Sequence, residues 1–97
     1  MLVYLVAYDI SHPRRLQRVM KTVRDFGDRI QLSVFLCQLS EKDLVILQDR
    51  LREKINHRED QVLFIKLGPV AGTGDPQSSI EHLGRPFYVR DLKILVF

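Results

Sequence analysis

The chain has 97 residues, 45% hydrophobic and 28% charged, an ordinary balance for a single globular domain over residues 1–97. Its formal charge of +3 and pI near 9.3 permit a nucleic-acid partner without requiring one. No apolar run approaches the ~18 residues of a membrane span, the N-terminus lacks the order of a signal peptide, and the single cysteine, Cys37, excludes an internal disulfide framework and a cysteine-clustered zinc site. A cytoplasmic protein with no membrane contact is the expectation.

Residues 2–8, Leu-Val-Tyr-Leu-Val-Ala-Tyr, form an apolar, β-branched and aromatic run that reads as a buried strand ending at Asp9. A carboxylate there suits a metal ion or a phosphodiester. It suits a turn or helix cap equally well, and position alone leaves both readings open. Pro13 fits the first position of a helix, with Ser11 or His12 flanking or capping it. Leu16, Val19, Met20, Val23 and Phe26 recur at helical spacing, so a helix over 13–26 is predicted, with Gly27 as its C-terminal cap. Its other side carries Arg14, Arg15, Arg18, Lys21 and Arg24.

Residues 28–39 read as strand. Ile30, Leu32 and Val34 alternate with polar residues, and then Val34-Phe35-Leu36-Cys37 is continuously apolar. That change of pattern predicts a bulge, a bend or two short strands sharing the stretch. Ser40, with Asp43 three residues on, opens a second helix over 41–55. Leu44, Leu47, Leu51 and Ile55 line its inner face. After the polar turn 56–60, Gln61–Leu67 is a further strand. Residues 68–79 hold three of the five glycines and two of the four prolines and form a loop. A short edge strand over 79–83 and a last apolar stretch over 87–97 complete the chain.

This order predicts an α+β sandwich of ferredoxin-like βαββαβ type, with both helices on one face of the sheet. The apolar C-terminus, in the tail 85–97, is readily explained by a strand that pairs with another subunit's sheet in a two-fold dimer. An edge strand closing the chain's own sheet is the alternative.

Asp9 is the one carboxylate that the pattern puts at the end of a core strand beside a basic helix. Two-metal cleavage of phosphodiesters needs several converging carboxylates. A metal at Asp9 therefore asks for a second Asp9 from a partner, and hard oxygen donors favour magnesium, manganese or calcium over zinc. The arginines of the first helix, with Arg29, make a basic band fit to neutralise phosphates. His12, His57 and His82 show no metal spacing, and His12 alone lies near enough to Asp9 to act as an acid or base. Gly72-Thr73-Gly74 lacks the lysine of a phosphate loop and is the sole support for a small-molecule regulatory domain.

Three stretches resemble the second core CRISPR-associated protein family: Tyr8-Asp9-Ile10, the helix opening at Pro13-Arg14-Arg15, and residues 27–35, Gly-Asp-Arg-Ile-Gln-Leu-Ser-Val-Phe. The likeness covers about residues 2–67. It implies a ferredoxin-like homodimer whose C-terminal strands cross to the partner. Paired Asp9 residues would bind magnesium, or manganese, across a cleft. Tyr8, Arg18, Arg29 and Phe35 fall on positions that the family associates with activity or with the cleft. The implied function is metal-dependent endonuclease action on single-stranded RNA or double-stranded DNA during spacer acquisition, in complex with the CRISPR-associated integrase subunit. The alternative is a non-catalytic dimeric DNA-binding scaffold for that integrase.

Overall fold

The structure, a computed structural model, describes residues 1–69, 81 and 83–85. The element order is β1 (Leu2–Asp9), α1 (Pro13–Arg24), β2 (Gly27–Gln31), β3 (Val34–Leu39), α2 (Glu41–Arg52) and β4 (Gln61–Pro69). The strands form one antiparallel sheet in the order β2-β3-β1-β4, so β1 is central and each βαβ crossover skips a strand. This is the expected α+β, ferredoxin-like arrangement. Readings that fall on residues 70–80, 82 and 86–97, including the C-terminal dimer strand, lie outside the described residues.

Strand alternation divides the sheet into two faces. Tyr4, Val6 and Tyr8 of β1 and Phe35, Cys37 and Leu39 of β3 point to one side, where they pack with Val19 and Val23 of α1 and Leu47 and Leu51 of α2. Both helices therefore cover the same face. Val3 and Leu36 lie on the other side in a smaller cluster with Leu5, Ile30 and Leu67. On that helix-free face Leu63 and Ile65 remain 46% and 44% exposed.

The caps explain where the helices start. His12 Nδ1 accepts a hydrogen bond from the Arg14 backbone N–H at 3.1 Å, and Pro13 fills the first helical turn. Ser40 and Asp43 make a reciprocal capping box at the start of α2. The end of α1 differs from the sequence reading, because the helix stops at Arg24 with Asp25 as its cap. Gly27 is already in β2, opposite Cys37. A Cβ there would lie 2.5 Å from Cys37 Sγ and closer still to the Leu36 carbonyl oxygen. Close strand approach, not a left-handed cap, is what requires glycine.

The stretch 28–39 resolves into two strands. Leu32 and Ser33 turn the chain, and the β2–β3 register shifts between Arg29 and Gln31. The Tyr8 backbone N–H donates to the Ser33 carbonyl at 3.0 Å, tying this turn to the end of β1. Among the described residues no helix is long and apolar enough to cross a membrane.

Candidate active site and nucleic-acid interface

Asp9 ends β1 as an exposed residue, paired in register with Gln61 of β4. Alternation turns its side chain to the helix-free face, away from that of Tyr8. Adjacent in sequence, the two candidate residues thus serve opposite sides of the sheet. Among the described residues Asp9 has no ion-pair partner, and no three His, Cys, Asp or Glu side chains gather to hold a metal.

On the helix-covered side, Tyr8 and Phe35 stack with ring centroids 6.2 Å apart. The Tyr8 hydroxyl is aimed at the Leu32 carbonyl at 3.4 Å, at the β2–β3 turn. Burial pushes the Tyr8 phenol above its ordinary pKa, and the nearby Arg29 charge opposes that shift. Arg29 stands opposite Phe35 in the β2–β3 register. The structure therefore brings Tyr8, Arg29 and Phe35 together. Arg24 and Met20 of α1 join Arg29 and Phe35 around a recess of about 200 Å³. Arg18 does not line it.

Arg14, Arg18, Lys21 and Arg24 are exposed and recur along one side of α1. At a rise of about 1.5 Å per residue they span roughly 15 Å. None of the four is in an ion pair among the described residues. Asp25, which follows Arg24 in the chain, pairs with Arg50 of α2 at 3.0 Å. The Arg50 guanidinium also sits 5.4 Å from the Phe26 ring centroid.

Arg15 does not share the freedom of the band. It lies on the stripe of α1 that continues into buried Val19 and Thr22, so its side chain emerges toward the turn before β4. There Nε meets Asp60 Oδ2 at 2.8 Å, and Nη2 meets Glu59 Oε1 at 2.8 Å and Asp60 Oδ1 at 3.3 Å. The Asp60 carboxylate is wholly enclosed and also accepts the backbone N–H groups of Ser11 and Asn56. The Arg15 guanidinium and those amides hold the Asp60 carboxyl well below the usual carboxylate range. The Ser11 hydroxyl donates to the Glu59 carbonyl at 2.9 Å. These bonds fix the chain two residues beyond Asp9. Sequence reading missed Asp60, whose one signal was its place in a polar turn.

His12 is occupied as the α1 cap, with Nδ1 as the acceptor. His57 Nε2 donates to the Arg52 carbonyl at 3.1 Å. His82 lies outside the described residues.

The family model described as CRISPR associated protein Cas2 matches residues 1–70. The chain belongs to the Cas2 family. A protein of Geobacter sulfurreducens named CRISPR-associated endoribonuclease Cas2 is 42% identical over 77 residues, covering 79% of this chain and 81% of the relative. A Cas2 endoribonuclease of Rhodospirillum rubrum is 34% identical over 93 residues, 96% of this chain and 88% of the relative. The crystal structure of Streptococcus pyogenes Cas2 superposes with a TM-score of 0.69 at 32% identity, covering 84% of this chain and 99% of that one. A hypothetical protein from Thermus thermophilus gives a TM-score of 0.75 at 30% identity, over 92% of this chain and 98% of the other. Of the expected site residues, the fold gathers Tyr8, Arg29 and Phe35 on the helix-covered face, while Asp9 stands apart on the helix-free face.

Proposed function

We propose that this chain is a CRISPR-associated nuclease that works as a homodimer. In this reading it hydrolyses phosphodiester bonds of single-stranded RNA or double-stranded DNA during spacer acquisition, with magnesium or manganese held between two copies of Asp9. The observation that supports this best is the placement of Asp9. It is an exposed carboxylate on the end of the central strand, three residues before the capped start of a helix whose outer side is basic.

One chain supplies Asp9 as a lone acidic donor, because no cluster of metal-ligating side chains occurs among the described residues. An exposed oxygen donor fits a hard divalent cation and makes up half of a donor set. The helix-free face supports the second half. Leu63 and Ile65 are exposed on it, and the buried Gln38 Nε2 has no hydrogen-bond partner there among the described residues, which costs about 1–3 kcal/mol until one is found. A second copy stacked on this face covers the apolar residues. Because Asp9 shares the face, the same stack draws two Asp9 carboxylates toward each other. Their mutual repulsion favours uptake of a cation.

Bound there, the ion supplies Lewis-acid stabilisation of the phosphoryl oxygens and a more acidic water. Asp9 holds and orients it. Arg14, Arg18, Lys21 and Arg24 grip the phosphate backbone, and Arg29 adds positive charge on the far side of the strand end. Such chemistry on nucleic acid belongs in the cytoplasm.

The test is cleavage of single-stranded RNA and double-stranded DNA by wild type and Asp9→Asn, with magnesium and after chelation. Asp9→Asn is expected to abolish cleavage with an unchanged unfolding midpoint, and chelation to abolish wild-type cleavage. Full activity in Asp9→Asn refutes the assignment. The basic face of α1, whose Arg14, Arg18, Lys21 and Arg24 form no ion pair among the described residues, favours one second reading, a DNA-binding scaffold that bridges integrase subunits without cleaving. In that case Arg14→Glu with Arg18→Glu stops spacer uptake, whereas Asp9→Asn does not.

A further inference from the structure

The recess lined by Met20, Arg24, Arg29 and Phe35 is set apart from Asp9 and has its own chemistry. Two arginines from different elements, one from the last turn of α1 and one from β2, face a floor made by a buried ring and a thioether. Neither arginine is in an ion pair among the described residues. A second recess of about 220 Å³, between α2 and β4, shows the contrast. Its arginine, Arg52, is already paired with Asp49 at 2.6 Å.

Size and charge narrow the ligand. About 200 Å³ is below the roughly 300–1,000 Å³ of pockets that enclose a drug-sized molecule, so a single small group is the natural occupant. Two planar guanidinium forks match the oxygens of a phosphate. An internal phosphodiester carries one negative charge. A terminal phosphomonoester carries nearly two at neutral pH, which two arginines neutralise. The recess also lies where the basic side of α1 ends, with Arg24 common to both. A strand laid along Arg14, Arg18 and Lys21 reaches Arg24 last.

We propose that this recess binds the terminal phosphate of a nucleic-acid strand whose backbone lies along α1. The proposal rests on the nucleic-acid reading above and adds a preference for phosphorylated ends.

The experiment compares short single-stranded DNA of one sequence bearing a 5′-phosphate, a 3′-phosphate or hydroxyls at both ends, by fluorescence anisotropy on the full chain. One phosphorylated form is expected to bind at least about tenfold tighter than the hydroxyl form, the effect of one charge-assisted hydrogen bond. Arg29→Gln brings that ratio to about one. Arg14→Gln weakens all three and keeps the ratio. Thymidine 5′-monophosphate, titrated separately, tests the recess without a strand. Equal affinity for phosphorylated and hydroxyl ends overturns the proposal, and so does a ratio that survives Arg29→Gln. Binding of the mononucleotide with no end preference in the strand also overturns it, since the ligand is then free phosphate. If the mononucleotide binds in an Arg29-dependent way and no oligonucleotide binds, both this proposal and the nucleic-acid reading fail. If the hydroxyl strand binds and no end preference exists, only this proposal does.

Discussion

Arg14 and Arg15 are neighbours with the same charge on the same helix, and the structure gives them opposite surroundings. Arg14 is exposed on the side shared with Arg18, Lys21 and Arg24. Arg15 is held by the enclosed Asp60 and by Glu59. Each phosphate neutralised by an exposed cation contributes about −0.7 to the slope of log K against log salt on single strands, and about −0.9 on duplex. Four cations on this side of α1, none ion-paired among the described residues, therefore give a slope of about −2.8 or −3.6. A fourfold rise in salt then lowers the binding constant by roughly fifty- to one-hundred-and-fifty-fold. Arg14→Gln should flatten the slope by about 0.7–0.9 with little change in the unfolding midpoint. Arg15→Gln should do the reverse: the slope stays near the wild-type value and the midpoint falls, because the enclosed Asp60 loses its counter-charge. Anisotropy titrations over a salt series, paired with thermal unfolding of each variant, provide both readouts. If Arg15→Gln flattens the slope as much as Arg14→Gln while leaving the midpoint alone, the separation of the two arginines is wrong.

Other outcomes follow from the same geometry. Asp60 has a depressed pKa in the folded state, so its stabilising contribution is present above the unfolded aspartate value of about 3.9 and is lost as pH falls through the lower folded value. The midpoint difference between wild type and Asp60→Asn should accordingly be constant near neutrality and shrink only below about pH 4. Gly27→Ala should destabilise the fold, because its methyl meets the Leu36 carbonyl and Cys37 Sγ, and an unshifted denaturation midpoint would contradict the packing described. Burial, with Asp28 adding to it, pushes the Cys37 thiol up to about 12. Iodoacetamide should label it at neutral pH only as fast as the chain unfolds. Leu47→Ala empties a fully buried position under the sheet and should cost about 2–5 kcal/mol in chemical denaturation.

Much of this fold is legible in local pattern. β1 and β4 are apolar runs, and both helix starts carry their caps in the sequence. The Leu32–Ser33 turn is harder to see. It has no glycine, proline or asparagine, so the change of pattern leaves a bulge, a bend and two short strands open until the register is known. The ends of the helices were overextended. Residues 25, 26 and 53–55 continue the helical spacing, but Asp25 and Phe26 donate to the Thr22 and Val23 carbonyls in a turn that leads into β2, and α2 ends at Arg52. Leu16, placed by spacing on the inner face of α1, is 40% exposed and does not join the core cluster.

The candidate site was legible as residue types and less so as an arrangement. Spacing alone puts Asp9 at a strand end and the basic residues along a helix, and it leaves the role of Asp9 open. The tie between Arg15 and Asp60 joins positions 45 apart in the chain, which no local period reports. The opposite orientation of Tyr8 and Asp9 was available from strand alternation, and a motif read as one unit conceals it. The recess at Arg24 and Arg29 depends on how the end of α1 meets the edge of the sheet, and only the assembled fold shows that.

The central claim is that one chain holds half of a metal site. Isothermal titration of magnesium into the purified protein, with chain concentration fixed independently, tests it most directly. The account predicts one ion per two chains and loss of that binding in Asp9→Asn. One ion bound per single chain, or binding that persists in Asp9→Asn, would contradict it.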